Sequence, residues 1–244
     1  MIEVTYIDHM GSDLSVVNAA RVSFGKKSDW LPRVHNGEAK ALSAKDCRLI
    51  MYLAKHKHKS PFNHAFATFH IKAPVFVARQ LVKHEYMPWN EISRRYVDDE
   101  PEFYKPANWR ERADDKKQGS GTGFVNTIPQ DDTEDYADDK AYLADHWETD
   151  TTGYVEDNLY YRSLSVYNEL LRAGIAPEQA RMVLPQSMMT EWYWSGSLFA
   201  FAKMCSLRCK DDTQAETRVV ADAIDEEMEN LYPISWEALK EYAE

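Results

Sequence analysis

Gln80-Leu-Val-Lys-His-Glu-Tyr-Met-Pro-Trp-Asn-Glu-Ile-Ser-Arg-Arg-Tyr96 is the stretch on which the reading of this chain turns. Just upstream, Pro74 stands where a first-turn proline belongs, and Val75 to His84 reads as a helix. Phe76, Gln80, Lys83 and His84 recur at three- and four-residue spacings, so they share one face of it. Downstream, Asn90 to Tyr96 gathers an amide, a carboxylate, a hydroxyl and two guanidiniums within seven residues. Such a set can recognise a nucleotide, with Ser93 and an arginine taking phosphate and Asn or Gln taking a base edge. On composition alone, a polar surface loop is the simpler account.

Working outward, Ala65 to Ile71 alternates with strand periodicity, Phe66, Thr68 and His70 against Ala65, Ala67, Phe69 and Ile71. Ser43 with Asp46 resembles a capped helix start, and Leu49, Ile50, Leu53 and Ala54 follow at helical spacing. That helix should stop around Lys59, because Pro61 disfavours helix at the residue before it. The opening segment, Met1 to Ile7, reads as a strand. On the far side, residues 107–152 form an acidic insertion in which Gly119-Ser-Gly-Thr-Gly123 reads as a flexible linker. Helical pattern resumes at Leu159, with Gly174 as its terminator. A short helix runs between Pro177 and Pro185, and Trp192–Cys209 and Gln214–Tyr232 read as two long helices. The expected fold is α+β, a small mainly antiparallel sheet with long helices, in one domain spanning residues 1–244.

The 244 residues, 44% hydrophobic and 28% charged, describe an ordinary globular chain. The N-terminus lacks the basic flank and long apolar stretch of a signal peptide, and no apolar run approaches the ~20 residues of a membrane span. Cys47, Cys205 and Cys209 make no paired framework and suit a reducing cytoplasm. A net charge of −11 argues against a nucleic-acid polymer as partner. Residues 107–150 carry 12 acidic and 5 basic side chains, which leaves only −4 on the rest. An anionic small molecule is therefore not forbidden, since local groups set the potential of a site.

Other polar clusters have plain explanations. His56, His58, His64 and His70 lack the acidic partner and spacing of a metal site. Cys205 and Cys209, four apart with no second pair, read as helix packing. The glycine-rich Gly119–Gly123 lacks the Lys-Ser/Thr of a phosphate loop.

Gln80-x-x-Lys-His-Glu-x-x-x-x-Asn-Glu-Ile-Ser-x-Arg-Tyr96 resembles the signature of the flavin-dependent thymidylate synthases, the ThyX family. Four further motifs fall in the family's order: Ala20-Arg-Val-Ser23; His58-Lys-Ser-Pro-Phe62 with His64; Ala180-Arg-Met-Val-Leu-Pro185; and Leu207-Arg208 followed by Gln214-x-Glu216. The resemblance implies an FAD enzyme that converts dUMP to dTMP, with 5,10-methylenetetrahydrofolate as carbon donor and NADPH as reductant. It implies a homotetramer with shared active sites. Gln80, Glu91, Ser93, Arg94, Arg95 and Arg181 would bind dUMP, and Arg208 would face the uracil edge and favour ionisation at N3. Ser60, Lys83, His84, Glu85 and Glu91 would line the FAD, with His58 near its ring.

The chain departs from the pattern in a few places. The family's Arg-His-Arg is Lys83-His84-Glu85 here, which weakens one cation and reverses the other. Where the family has Asn-Ala-Arg this chain has Ser197-Leu-Phe199, and Lys203 replaces a common asparagine. Ser197 can still hydrogen-bond and Phe199 can stack on a ring. These changes fall on cofactor contacts, so a relative forming another 5-substituted pyrimidine, such as 5-hydroxymethyl-dUMP, and a dUMP-binding protein without catalysis are the alternatives.

Overall fold

The computed structural model describes residues 1–31, 41–97, 99–114, 119–125 and 151–242, with side chains from 158 onward in the last segment. The chain divides into two compact units. The first comprises residues 1–73, 77–91 and 190–244, and the second residues 74–76 and 92–189.

The first unit is built on a four-stranded sheet in the order β1 (Glu3–Met10), β2 (Phe66–Pro74), β6 (Met189–Ser197), β3 (Trp89–Glu91). β1 (Glu3–Met10) pairs antiparallel with β2 (Phe66–Pro74), with a register irregularity between Tyr6 and Asp8. α1 (Asp13–Arg21), α2 (Ala44–Lys55) and the single turn α3 (Lys59–Phe62) lie between them in sequence. Ser43 caps α2 as its sequence indicates, accepting a hydrogen bond from Asp46 N at 3.2 Å. The helix ends at Lys55, short of the expected stop, and α1 had no clear signal. In β2 the alternation holds: Ala67, Phe69, Ile71 and Ala73 are buried while Thr68, His70 and Lys72 are half-exposed. Pro74 closes this strand and does not sit inside the helix, α4, which runs Val75–Leu81. β3 (Trp89–Glu91) pairs antiparallel with β6 (Met189–Ser197), Asn90 opposite Tyr193.

β6 corrects the expectation of a helix from Trp192. Thr190, Trp192, Trp194 and Gly196 are buried, while Glu191, Tyr193 and Ser195 take the other face, a period of two. Trp192 stacks on Trp89 with centroids 4.5 Å apart, and Trp194 meets Phe201 edge-on at 5.5 Å. Each such pair is worth about 0.5–1.5 kcal/mol beyond its burial. Gly196 allows the close packing here, since a Cβ would stand 2.8 Å from the Met87 methyl and 3.1 Å from the Phe201 ring.

The unit is completed by α7 (Leu198–Arg208), α8 (Ala215–Leu231) and α9 (Pro233–Glu241), which follow α5 (Thr151–Arg172) and α6 (Pro177–Ala180) of the second unit in chain order. α8 matches the expected Gln214–Tyr232 helix closely. α9 packs on α2 and is fastened to the start of the chain. The Asp13 carboxylate accepts from Ile234 N at 3.2 Å and Ser235 N at 2.9 Å, and the Tyr232 hydroxyl donates to Met10 O and Phe66 O.

In the second unit, β4 (Arg110–Arg112) and β5 (Ser120–Phe124) form an antiparallel pair. The glycine run is thus a strand and not a free linker. Its lack of side chains suits the close approach of the partner: a Cβ on Gly121 would stand 3.3 Å from both Glu111 Cβ and the Glu111 backbone oxygen. The acidic run 131–139 lies outside the described residues. α5 (Thr151–Arg172) ends before Gly174, whose φ of 81° is the left-handed turn expected of a terminator. α6 (Pro177–Ala180) and a 3₁₀ turn over Arg181–Val183 follow. The α+β class with a small antiparallel sheet is as the sequence suggests. No described helix is long and apolar enough to cross a membrane.

Candidate functional site

Ser197 closes β6 and opens α7, and its two jobs set the local geometry. Its Oγ accepts from Ala200 N at 3.2 Å as the helix cap and donates to Asn63 Oδ1 at 2.7 Å. Phe199 and Lys203, four apart on α7, then face the same way, and Arg208 ends the helix. Together with Lys83, His84 and Glu85, which follow α4, they line a cleft of about 680 Å³. Residues expected at the flavin from two separate stretches, 83–85 and 197–203, thus meet in one place with Arg208, expected at the uracil edge. His58 and Ser60 do not line this cleft; His58 shares a neighbouring cavity with Phe199 and Lys203, and Ser60 faces another.

Arg208 is held on two sides. Its Nε donates to His84 Nε2 at 3.2 Å, and its Nη2 donates to the Gln80 carbonyl at 3.4 Å. A guanidinium has five N–H donors, so three remain for a ligand after those two bonds. The His84 bond requires a bare Nε2, and the imidazole is suited to supply it. Burial, with the nearby charges of Arg208 and Lys203, pushes its pKa down to about 4. His84 is therefore neutral at physiological pH and orients Arg208 without adding charge. The Gln80 side chain is itself occupied, bonding Gln214.

Across the cleft mouth, Lys59 Nζ lies 5.4 Å from the Phe199 ring centroid. Neither Lys59 nor Asn63 was singled out from sequence, although both lie in or beside the His58-Lys-Ser-Pro-Phe62 motif, which was the available signal. Glu91 ends β3, where it accepts from Thr190 Oγ1 at 2.7 Å and Trp89 Nε1 at 3.1 Å.

The remaining anion-binding candidates lie in the second unit. Arg94 is buried, donating to the Asp99 backbone oxygen and to its Oδ1 at 3.3 Å. Its neighbour Arg95 is exposed, with Nε 3.3 Å from Ser93 Oγ and its guanidinium 5.0 Å from the Tyr96 ring centroid. Arg181 opens the 3₁₀ turn, exposed, with Nε 3.4 Å from Glu178 O. Adjacent arginines that sequence left equivalent are thus distinct: Arg94 is a structural cation already paired, whereas Arg95 is open to a ligand.

The alternative roles also separate. Cys205, Cys209 and Asp225 bring potential metal-binding atoms within 4.8 Å of one another, but the Asp225 carboxylate is taken up by Trp236 Nε1 at 3.0 Å and Lys240 Nζ at 2.7 Å. Burial pushes the Cys205 thiol well up, against the thiolate a metal needs.

Residues 5–234 match the family model described as thymidylate synthase complementing protein. A flavin-dependent thymidylate synthase from Thermus thermophilus is 35% identical over 239 residues, covering 98% of this chain and 76% of the relative. One from Kosmotoga olearia is 34% identical over 240 residues, covering 98% and 90%. Among solved structures, a UMP/dUMP methylase from Streptomyces cacaoi bound with 5-Br dUMP superposes with a TM-score of 0.75 at 29% identity, covering 99% of this chain and 96% of that one. A family model matching nearly end to end, with relatives alike over their whole shared length, places this chain in the thymidylate synthase complementing protein family, that of the flavin-dependent thymidylate synthases.

Proposed function

We propose that this protein is a flavin-dependent thymidylate synthase, which methylates dUMP to dTMP with 5,10-methylenetetrahydrofolate as carbon donor and NADPH as reductant. The observation that carries the reading is the Arg208–His84 pair at the cleft of a chain belonging to this family. The Streptomyces cacaoi neighbour, a UMP/dUMP methylase, supports a pyrimidine nucleotide as the methyl acceptor.

FAD fits the cleft chemically: a phenyl ring to lie against an aromatic system, with Lys83 and Lys203 as cations for anionic groups. Lys83, His84, Ser197, Phe199 and Lys203 would hold it, with Glu85, Glu91, Ser60 and His58 as further contacts. When bound, FAD supplies the hydride that completes the methyl group. The protein's own work is recognition and polarisation. Arg208, fixed by His84 and by the Gln80 carbonyl, presents its free N–H donors to the uracil edge and stabilises negative charge as N3 loses its proton. That charge delocalises onto C5 and makes it the nucleophile, so no cysteine is needed. Of the dUMP candidates, Gln80 already bonds Gln214 and Glu91 accepts from Thr190 and Trp89, so these two would meet the nucleotide only with their remaining polar capacity, while Ser93, Arg95 and Arg181 would offer donors for its phosphate. Arg94 supports that turn from within through Asp99.

We read both units as one catalytic domain and the assembly as a cytoplasmic homotetramer with shared active sites; light scattering on the purified protein tests the tetramer. The decisive experiment is a mass-spectrometric product assay with FAD, NADPH, methylenetetrahydrofolate and dUMP, each omitted in turn. A methyl-bearing product that requires flavin and folate is expected. Glu85 and Phe199, the departures on the cofactor side, keep a second reading in view, another 5-substituted pyrimidine such as 5-hydroxymethyl-dUMP. A hydroxymethyl product would establish it, and tight dUMP binding without turnover would reduce the protein to a binding module.

A further inference from the structure

Among the described residues, two that are not glycine hold a positive φ, Lys57 at 57° and Tyr86 at 60°. That region crowds any Cβ, and turns usually give it to Gly or Asn; for a bulky side chain it is an outlier. At Lys57 the neighbouring helix explains it. The residue follows the end of α2, and the amides of Lys57 and His58 close that helix by donating to Ala54 O and Leu53 O, both at 2.9 Å. Tyr86 has no such duty. No hydrogen bond engages its backbone or its hydroxyl among the described residues. It is 90% exposed, and no described ring lies against it.

Tyr86 nevertheless belongs to a wall. It follows Lys83-His84-Glu85 directly and lines the same cleft of about 680 Å³ as Phe199 does. The Phe199 ring already has Lys59 against it, whereas the Tyr86 ring has nothing among the described residues. The position is costly in two ways, through a strained backbone and through apolar ring surface left in water. Strain of this kind gathers at ligand clamps, and here it sets where the side chain is presented. A flat ligand ring settling on Tyr86 would recover the exposed apolar surface. We propose that Tyr86 is a stacking residue of the cofactor site, its ring lying against a planar ring of the flavin adenine dinucleotide. Tyr suits this use, since its rigid ring has only two rotatable bonds to order on contact. The assignment rests on the flavin-dependent reading above and adds a residue to it. Isoalloxazine and adenine share the planar chemistry, and the test separates them.

The test is calorimetric titration of FAD into the flavin-free protein and into its Tyr86→Asn and Tyr86→Phe variants. Asn tolerates the left-handed region but has no ring, while Phe keeps the ring and loses only the hydroxyl. Tyr86→Asn should bind FAD about tenfold more weakly, the loss of one stacked ring, and Tyr86→Phe should stay within about twofold of the parent. The flavin-free melting point of Tyr86→Asn should equal or exceed the parent's, because strain is relieved and no packing is lost. FMN and AMP, the two halves of the cofactor, tell the rings apart: weakened FMN binding places Tyr86 on the isoalloxazine, weakened AMP binding on the adenine. An unchanged FAD affinity in Tyr86→Asn, equal losses in the two variants, or a lowered melting point of the flavin-free Asn variant would each overturn the assignment. Dissociation of the Asn variant's assembly in light scattering would also overturn it, by making Tyr86 a subunit contact. A parent protein that binds neither FAD nor its halves would refute the flavin reading and this assignment with it, whereas FAD bound equally well with and without the ring defeats the assignment alone.

Discussion

The guanidinium of Arg208 and those of Arg94 and Arg95 sit in regions that treat positive charge in opposite ways. Arg208 bonds a neutral imidazole and a backbone carbonyl, and although Glu85 lines the same cleft, no carboxylate pairs with Arg208 among the described residues, so only its direction is fixed. In the turn after β3, Asp99 pairs with one of two adjacent arginines and leaves the other outside. Residue type is the same in all three positions. What differs is whether a partner has already been supplied, and that decides which cation is available for chemistry and which for folding.

Removing Arg208 should have the largest effect. Arg208→Ala should lower kcat by about 10²–10³, the usual loss when one fixed donor to a developing anion goes, with flavin content retained on purification. Near-normal turnover would erase the contrast between an activating and a structural arginine. Arg94→Ala should act on stability instead, removing a bond to a charged partner worth about 1.5–3 kcal/mol. At about 2–4 °C per kcal/mol, calorimetry should show a melting point lower by roughly 3–12 °C. Arg95→Ala should leave the melting point where it is and raise the dUMP KM about tenfold. If the two variants exchanged phenotypes, the assignment made from Asp99 would be inverted.

The smallest effect sharpens the Arg208 side. His84 has a folded pKa of about 4, below its ordinary 6.5, so as pH falls the unfolded chain takes up the proton first. Its contribution to stability is therefore present above pH 6.5 and lost as pH falls through 6.5 toward 4. Denaturant titrations across that window should show a shallower decline for His84→Gln than for the parent. By NMR, Arg208→Ala should move the His84 midpoint upward only part of the way, because burial, the larger cause, remains.

These pairings mark the limit of what sequence could say. β2, α2 and α8 were legible because one face of each is buried and its spacing is written locally. β6 has the same period-two pattern, yet Trp192-Tyr-Trp194 next to the helical run Leu198–Arg208 invited extension of the helix backward through it. β5 was hidden because small residues signal both a loose linker and a close approach, and only the Glu111 backbone against Gly121 distinguishes them. In the cleft, motif residues such as Arg208 and His84 were named in advance, while Asn63 beneath Ser197, 134 positions away, could not be. Nor could the difference between Arg94 and Arg95, which depends on where the chain turns at Asp99.

The clamp between Asp13 and the first backbone amides of α9 has a bearing on how the protein is made. Its two halves are 222 positions apart in the chain. At a synthesis rate of about 5–20 residues per second, the start of the protein waits roughly 10–45 seconds on the ribosome before its partner exists. During that interval β1 can pair with β2, but the carboxylate of Asp13 has only water to bind. The final closure of the first unit thus waits for α9, and a nascent chain stalled before residue 232 should remain open to protease at its amino-terminal end.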